Sequence, residues 1–169
     1  MLGGVVSVPP DFSRLKAASQ TPADELCRCP GSPPIMLLST AGMGSNPIHC
    51  LRCNNEVAPE TLGLDQAAVD AAADWRWTYG SVDALELASG PYEAWAQAEL
   101  SDPESAANRS AYATRAELER FRRCYFRYWQ RADDADTCPI CGDRLVAVSD
   151  AWPAKSVCER DSIVLYTGW

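Results

Sequence analysis

The sequence predicts an α+β fold: a small antiparallel sheet with a large helical insertion between two Cys-x-x-Cys turns. Three observations carry this. Short apolar or aromatic runs stand near both ends, at residues 35–38, 124–129, 145–148 and 163–166. Between them, residues 64–123 repeat apolar side chains at three- and four-residue steps. The pairs Cys50/Cys53 and Cys138/Cys141 flank that helical stretch. A chain of 169 residues suits one domain, 1–169, and buries a real core. It divides into N-terminal strands with the first Cys turn (1–59), a helical insertion (60–123), and strands with the second Cys turn (124–169).

The elements follow in order. Residues 19–34 (SQTPADELCRCPGSPP) are rich in Pro and Ser and read as a loop. Ile35–Leu38 is apolar and bounded by turn residues, so it reads as a buried strand. Residues 41–47 (AGMGSNP) are turn chemistry. From Leu64, the set Leu64, Ala68, Ala71, Trp75, Tyr79, Val82 and Leu85 marks a helical stripe. Gly80 weakens its middle, and Ser89-Gly90-Pro91 ends it. A second helix runs from Pro91 or Tyr92 to Leu100, with Tyr92, Trp95 and Ala96 on one face. Ser101-Asp102-Pro103-Glu104 offers a cap for a short turn. Thr114-Arg-Ala-Glu117 repeats the capping-box spacing and starts a further helix there or near Ser110. Cys124–Trp129 is aromatic and fits a strand. Residues 133–136 make a polar turn, and strands at Leu145–Val148 and Ile163–Tyr166 complete the chain.

The eight cysteines are the sharpest chemical signal. The N-terminus MLGGVVSVPPDFSR lacks the basic start and apolar run of a signal peptide, and no stretch of 18 apolar residues exists. The expected location is therefore cytoplasmic, with no membrane span. There thiols stay reduced, and paired Cys spacing reads as metal binding. A Cys-x-x-Cys turn aims two thiolates at one ion, and four thiolates in a tetrahedron make a closed zinc site. The expected cofactor is Zn2+, and the sheet is expected to be of zinc-ribbon type.

Two ligand assignments are open. In one, Cys50, Cys53, Cys138 and Cys141 share a zinc, with 84 residues inserted between the pairs. In the other, each half has its own site. Cys27, Cys29, Cys50 and Cys53 would form the first, with 20 residues between the pairs. Cys138, Cys141 and Cys158 plus one more ligand would form the second, with 16 residues between Cys141 and Cys158. Cys27-x-Cys29 is one residue short of the usual pair, and Asp161 stands where a fourth Cys would complete Cys158-x-x-Cys. His49, the single histidine, adjoins Cys50 and is a further candidate ligand or neighbour. Cys124, within the aromatic strand, reads as a core thiol.

Catalysis is not expected. A deaminase needs His-x-Glu ahead of its Pro-Cys-x-x-Cys turn, and that is absent. Neither a phosphate-binding Gly loop nor His-Glu-x-x-His nor Gly-x-Ser-x-Gly is present. A closed thiolate site leaves no open position for water.

Over residues 48–166 the chain resembles a family of uncharacterised bacterial zinc-ribbon proteins suggested to bind nucleic acid. The resemblance lies in Cys50-Leu-Arg-Cys53 with Val57, Pro59 and Leu62, and in Trp75, Tyr79, Leu85 and Ser89-Gly90. It continues through Asp102-Pro103-x-Ser105, Asn108-Arg109, the aromatic run Tyr125–Trp129, Cys138-Pro-Ile-Cys141-Gly and Cys158. It implies a second Cys-x-x-Cys near the C-terminus, where this chain has Cys158 and Asp161. A weaker similarity is to double-Cys-x-x-Cys-Gly proteins of the toxin-immunity type. Neither implies an enzyme.

Charge frames two function classes. The net charge is −8. Residues 60–109 hold two basic and ten acidic groups, whereas residues 110–131 hold six Arg and two Glu. The first class is a non-catalytic binding module, immunity- or adaptor-like, whose partner protein would be basic, such as a toxin. Its candidate surface is Trp75, Trp77, Asp83, Glu86, Tyr92 and Trp95. The second is nucleic-acid binding through a strip over 115–131, with Arg120, Arg122, Arg123 and Arg127 beside Tyr125, Phe126, Tyr128 and Trp129.

Overall fold

The computed structural model describes residues 9–16, 18–39, 46–130 and 136–167. The turn expected at 41–45, the acids at 133–135 and Arg131 lie outside the described residues. The described chain forms strands β1 (Ile35–Leu37) and β2 (Ile48–Cys50), then helices α1 (Gln66–Ala88), α2 (Glu93–Ser101) and α3 (Ala106–Glu119). Strands β3 (Cys124–Arg127), β4 (Val146–Ala147), β5 (Lys155–Cys158) and β6 (Ile163–Tyr166) follow. The α+β class and the central helical segment are as expected.

The sheet is not simply antiparallel. Its order is β2-β1-β3-β6-β5-β4, and the pairs β1–β3 and β3–β6 run parallel. The connection explains the difference. All three helices lie between β1 and β3, and such a long crossover returns the chain to the same end of the sheet, as parallel pairing requires. Hairpin-like antiparallel pairs are confined to the flanks, β1–β2, β5–β6 and β4–β5.

The inner strands are buried on both faces and alternate accordingly. Ile35, Leu37, Cys124, Phe126, Ile163 and Leu165 join the cluster that packs on the helices. Met36, Tyr125 and Val164 point the other way and meet Leu51 and Val157. Over this second face the sheet curls and its flanks meet. The Tyr166 hydroxyl donates to Asn54 Oδ1 at 2.9 Å, and the Trp152 N–H donates to the Arg52 carbonyl at 2.9 Å.

Phe126 is the hub of the main core. Trp75, Tyr79, Tyr112 and Tyr128 all meet its ring edge-on, at centroid distances of 5.5–6.2 Å. Helix α1 starts where Asp65 Oδ1 accepts from the Ala68 N–H at 3.0 Å, and it continues through Gly80. Its buried stripe is Ala68, Val69, Ala72, Ala73, Trp75, Tyr79 and Gly80. Helix α3 begins earlier than its expected start at Thr114 or Ser110. Ser105 is its cap, with Oγ accepting from the Asn108 N–H at 3.0 Å, while Thr114 is buried within the helix. Asn108 is fully buried, and its Nδ2 donates to the carbonyls of Leu100 (2.9 Å) and Asp102 (2.8 Å). One side chain thereby satisfies carbonyls orphaned at the end of α2 and locks α2 to α3.

Candidate metal centres

The cysteines assemble two separate groups: Cys27, Cys29, Cys50 and Cys53, and Cys138, Cys141, Cys158 and Asp161. Within each group all four candidate ligand atoms lie within 4.8 Å of one another. The single shared site is therefore corrected. The two groups share no residue: Cys50/Cys53 gather with Cys27 and Cys29, and Cys138/Cys141 with Cys158 and Asp161. The two Cys-x-x-Cys turns therefore belong to two separate four-ligand sets.

The two Cys-x-x-Cys turns are built alike. The Cys50 N–H donates to the Asn55 carbonyl (2.8 Å), and the Asn54 N–H donates back to the Cys50 carbonyl (3.0 Å). The Cys138 N–H donates to the Asp143 carbonyl (2.7 Å), and the Gly142 N–H to the Cys138 carbonyl (2.9 Å). The residue after the second cysteine has positive φ in both, +67° at Asn54 and +77° at Gly142. Glycine reaches this region freely and asparagine is among the few others that tolerate it. Asn54 is thus the counterpart of Gly142, a correspondence hidden in the sequence by the different residue type. Cys158-Glu-Arg-Asp161 follows the same plan, with Ser162 at φ +52° in the equivalent place.

The second centre is compact enough to surround one four-coordinate ion. Metal–sulphur bonds of about 2.3 Å and metal–oxygen bonds of about 2.0–2.2 Å place ligand atoms roughly 3.5–3.8 Å apart around zinc. Cys141 and Cys158 Sγ are 3.6 Å apart, and Asp161 Oδ2 lies 3.1 Å from Cys138 Sγ and 3.4 Å from Cys158 Sγ. Burial alone would raise the Asp161 carboxyl, but the Cys141, Cys138 and Cys158 side chains outweigh it and hold the acid below its ordinary value. Asp161 is therefore carboxylate, the form that ligates. It also lines a small cavity of about 270 Å³ with Glu104, Tyr112 and Ile140.

The first centre is tied to the sheet by backbone and charge. The Cys27 N–H donates to the Glu56 carbonyl at 2.8 Å, and the Glu56 N–H to the Glu25 carbonyl at 3.0 Å. The buried Glu56 carboxylate accepts from Thr21 Oγ1 at 2.8 Å and pairs with Lys16 at 3.3 Å, pinning the loop that carries Cys27 and Cys29. Burial pushes the Cys50 thiol up, but the Cys53 N–H, the Cys27 side chain and the Arg52 N–H together draw it below its ordinary value. Lys155, fully buried, is pushed down to about 8 by desolvation, while the Cys50 and Cys53 thiolates oppose that shift. A buried cation beside Cys50 and Cys53 would offset part of the negative charge of a thiolate set. Lys155 was not legible from sequence as part of any site.

His49 is not in the ligand group. Its Nδ1 stands 2.7 Å from the Asn54 carbonyl, which fixes Nδ1 as the protonated nitrogen of a neutral ring. Burial depresses its basicity. Cys124 is a buried free thiol, as expected, and burial raises its pKa to about 12.

The two candidate surfaces fare differently. Trp75 is corrected: it is 1% exposed and stacks on Tyr79 in the core, because its place on the apolar stripe turns it inward. Trp77, Tyr92 and Trp95 are 66%, 61% and 51% exposed. Asp83 and Glu86 are half-buried and accept from Ser39 (2.7 Å) and Gln97 (3.3 Å). In the Arg strip, Arg120 pairs with Glu117 and Asp65, each at 2.6 Å, and Arg123 with Glu119 (3.0 Å) and Glu159 (2.8 Å). Arg127 lies over the Tyr166 ring at 4.6 Å. Arg122 is half-buried. Tyr125, Phe126 and Tyr128 are core side chains. No described helix is long and apolar enough to cross a membrane.

Comparison with protein-family models, characterised proteins and solved structures finds no match to this chain.

Proposed function

We propose that the protein is a non-catalytic zinc protein that engages a basic partner protein, in the manner of an immunity or adaptor protein. The metal reading is supported by the seven thiols and one carboxylate in two tetrahedral-sized groups; soft thiolates at this spacing favour zinc. The closed ligand sets suit ions that hold the fold rather than react.

The observation that carries the partner reading is the display of Trp77, Tyr92 and Trp95 on the acidic α1–α2 segment. Large aromatics half or more exposed supply binding energy only when covered, and the surrounding carboxylates steer a basic partner. Arg120 and Arg123 spend their charge on internal acids, which weakens the nucleic-acid alternative. The test is site-specific photo-crosslinking from position 77 or 95 in the native host. One stoichiometric protein should be captured, and W77A or W95A should abolish its binding. Salt-sensitive binding of RNA or DNA, with no protein captured, would overturn the reading in favour of nucleic acid.

A further inference from the structure

A cleft of about 340 Å³ opens at the C-terminal ends of the parallel strands. Ser39 follows β1, Arg127 ends β3 with Trp129 two residues beyond it, and Tyr166 ends β6; Tyr79, Asp83 and Glu86 of α1 form the facing wall. The metal centres lie by the opposite strand ends, since Cys50 pairs with Ile35, the first residue of β1, and Cys158 with Ile163, the first of β6. The carboxyl end of parallel strands is where open sheets with crossover helices place their ligands.

The cleft holds charges that do not cancel each other. Asp83 and Glu86 form no ion pair among the described residues, their only polar contacts being Ser39 and Gln97. Arg127 forms none either: its guanidinium stacks on Tyr166 and donates through Nη1 to the Tyr128 carbonyl at 2.5 Å, while its Nε is buried without a hydrogen-bond partner. Tyr79 is 3% exposed, and its hydroxyl, likewise buried without a partner, lies in the fields of both Asp83 and Arg127. Buried polar groups left single are rare and call for a ligand or water. Among the described lining residues the balance is two negative groups and one positive. A ligand with two positive groups and one negative group matches it: an α-carboxylate for Arg127, and an α-ammonium and a side-chain cation for the two acids. Trp129 and the Tyr79 ring would cover the aliphatic stem between them. The volume falls at the small end of ligand clefts, suited to one amino acid and not to a folded partner.

We propose that this cleft binds a free basic α-amino acid, of the arginine or lysine class. Asp83 and Glu86, grouped by sequence with the partner surface, are assigned to this cleft instead; the partner test reads Trp77 and Trp95 and the amino-acid test reads Asp83, Glu86 and Arg127, so each can fail without the other. The test is calorimetric titration of the metal-loaded full chain with arginine, lysine, leucine, glutamate, argininamide and N-acetylarginine. Arginine or lysine should bind at least about tenfold tighter than leucine, a difference of about 1.4 kcal/mol, and glutamate should not bind. Argininamide and N-acetylarginine should each lose about tenfold or more. Asp83→Asn and Glu86→Gln should each weaken arginine by a similar factor. Arg127→Met should bind arginine and argininamide alike, with its fold checked by unchanged metal content. Equal binding of leucine and arginine, equal binding of argininamide by the native chain, or no amino-acid binding at all would overturn the proposal.

Discussion

If the second group is a four-ligand centre, replacing Asp161 with Ala removes its one oxygen ligand and leaves three thiolates. The residue occupies a vertex, since its Oδ2 sits 3.1 and 3.4 Å from two of the sulphurs. Removing a group that merely orients a ligand costs about 10–100-fold in metal affinity. Loss of a direct ligand should exceed the top of that range, so more than about 100-fold, or roughly 2.7 kcal/mol. Because binding energy at such a site is folding energy, the metal-loaded melting midpoint should fall as well. The assay is competition with a coloured chelator, which should strip one ion from Asp161→Ala far faster than from the native chain and leave the other in place. Glu159→Ala is the control: it deletes an equal charge two residues away, from an exposed acid bonded to Arg123 and Tyr125. Asp161→Cys should bind at least as tightly as the native chain. If Asp161→Ala keeps both ions at the native affinity, the carboxylate is not a ligand and the four-ligand reading of this centre is wrong.

Other outcomes follow from the same structure. Trp75→Ala should cost about 3–5 kcal/mol in chemical denaturation, whereas Trp77→Ala, on the exposed face, should stay within about 0.5 kcal/mol; equal costs would refute the placement of the two rings. Asn108→Ala should cost roughly 1–3 kcal/mol by leaving the Leu100 and Asp102 carbonyls unpaired, and hydrogen exchange should rise at the α2–α3 junction. Burial acts to raise the Glu119 carboxyl, but the Cys124 N–H and Arg123 outweigh it, so its folded pKa lies below 4.5. Such a group stabilises the fold above its unfolded pKa and loses that contribution as pH falls through the folded value. Glu119→Gln should therefore be less stable at pH 7, by about 1–2 kcal/mol, and the gap should close in acid; a gap that widens there would contradict the assignment.

Much of this could be read from the residues, for reasons that differ by element. Helix α1 was readable because its stripe and its Ser89-Gly90-Pro91 stop agree. Strand β6 was readable because four apolar residues stand between turns. Strands β2 and β5 were not. Ile48-His-Cys and Lys155-Ser-Val-Cys lack alternation, and tertiary pairing buries His49 and Lys155 against their own preference. The parallel pairing could not be read either, since it depends on which strands the crossover brings together. At the metal centres the spacing showed the ligands. It could not choose between one shared site and two, because that choice rests on how the fold brings Cys27 and Cys29 to one turn and Cys158 and Asp161 to the other. The role of Asn54 was masked because only its backbone angle, not its side chain, does the work of Gly142.

The central claim is that two independent metal centres close the fold, one at each flank of the sheet. Native mass spectrometry of the intact chain and of Cys53→Ser and Cys141→Ser tests it most directly. The account predicts two ions in the native chain and one remaining ion in each variant, with Cys53→Ser retaining the second centre and Cys141→Ser the first. One ion in the native chain, lost from both variants, would contradict it.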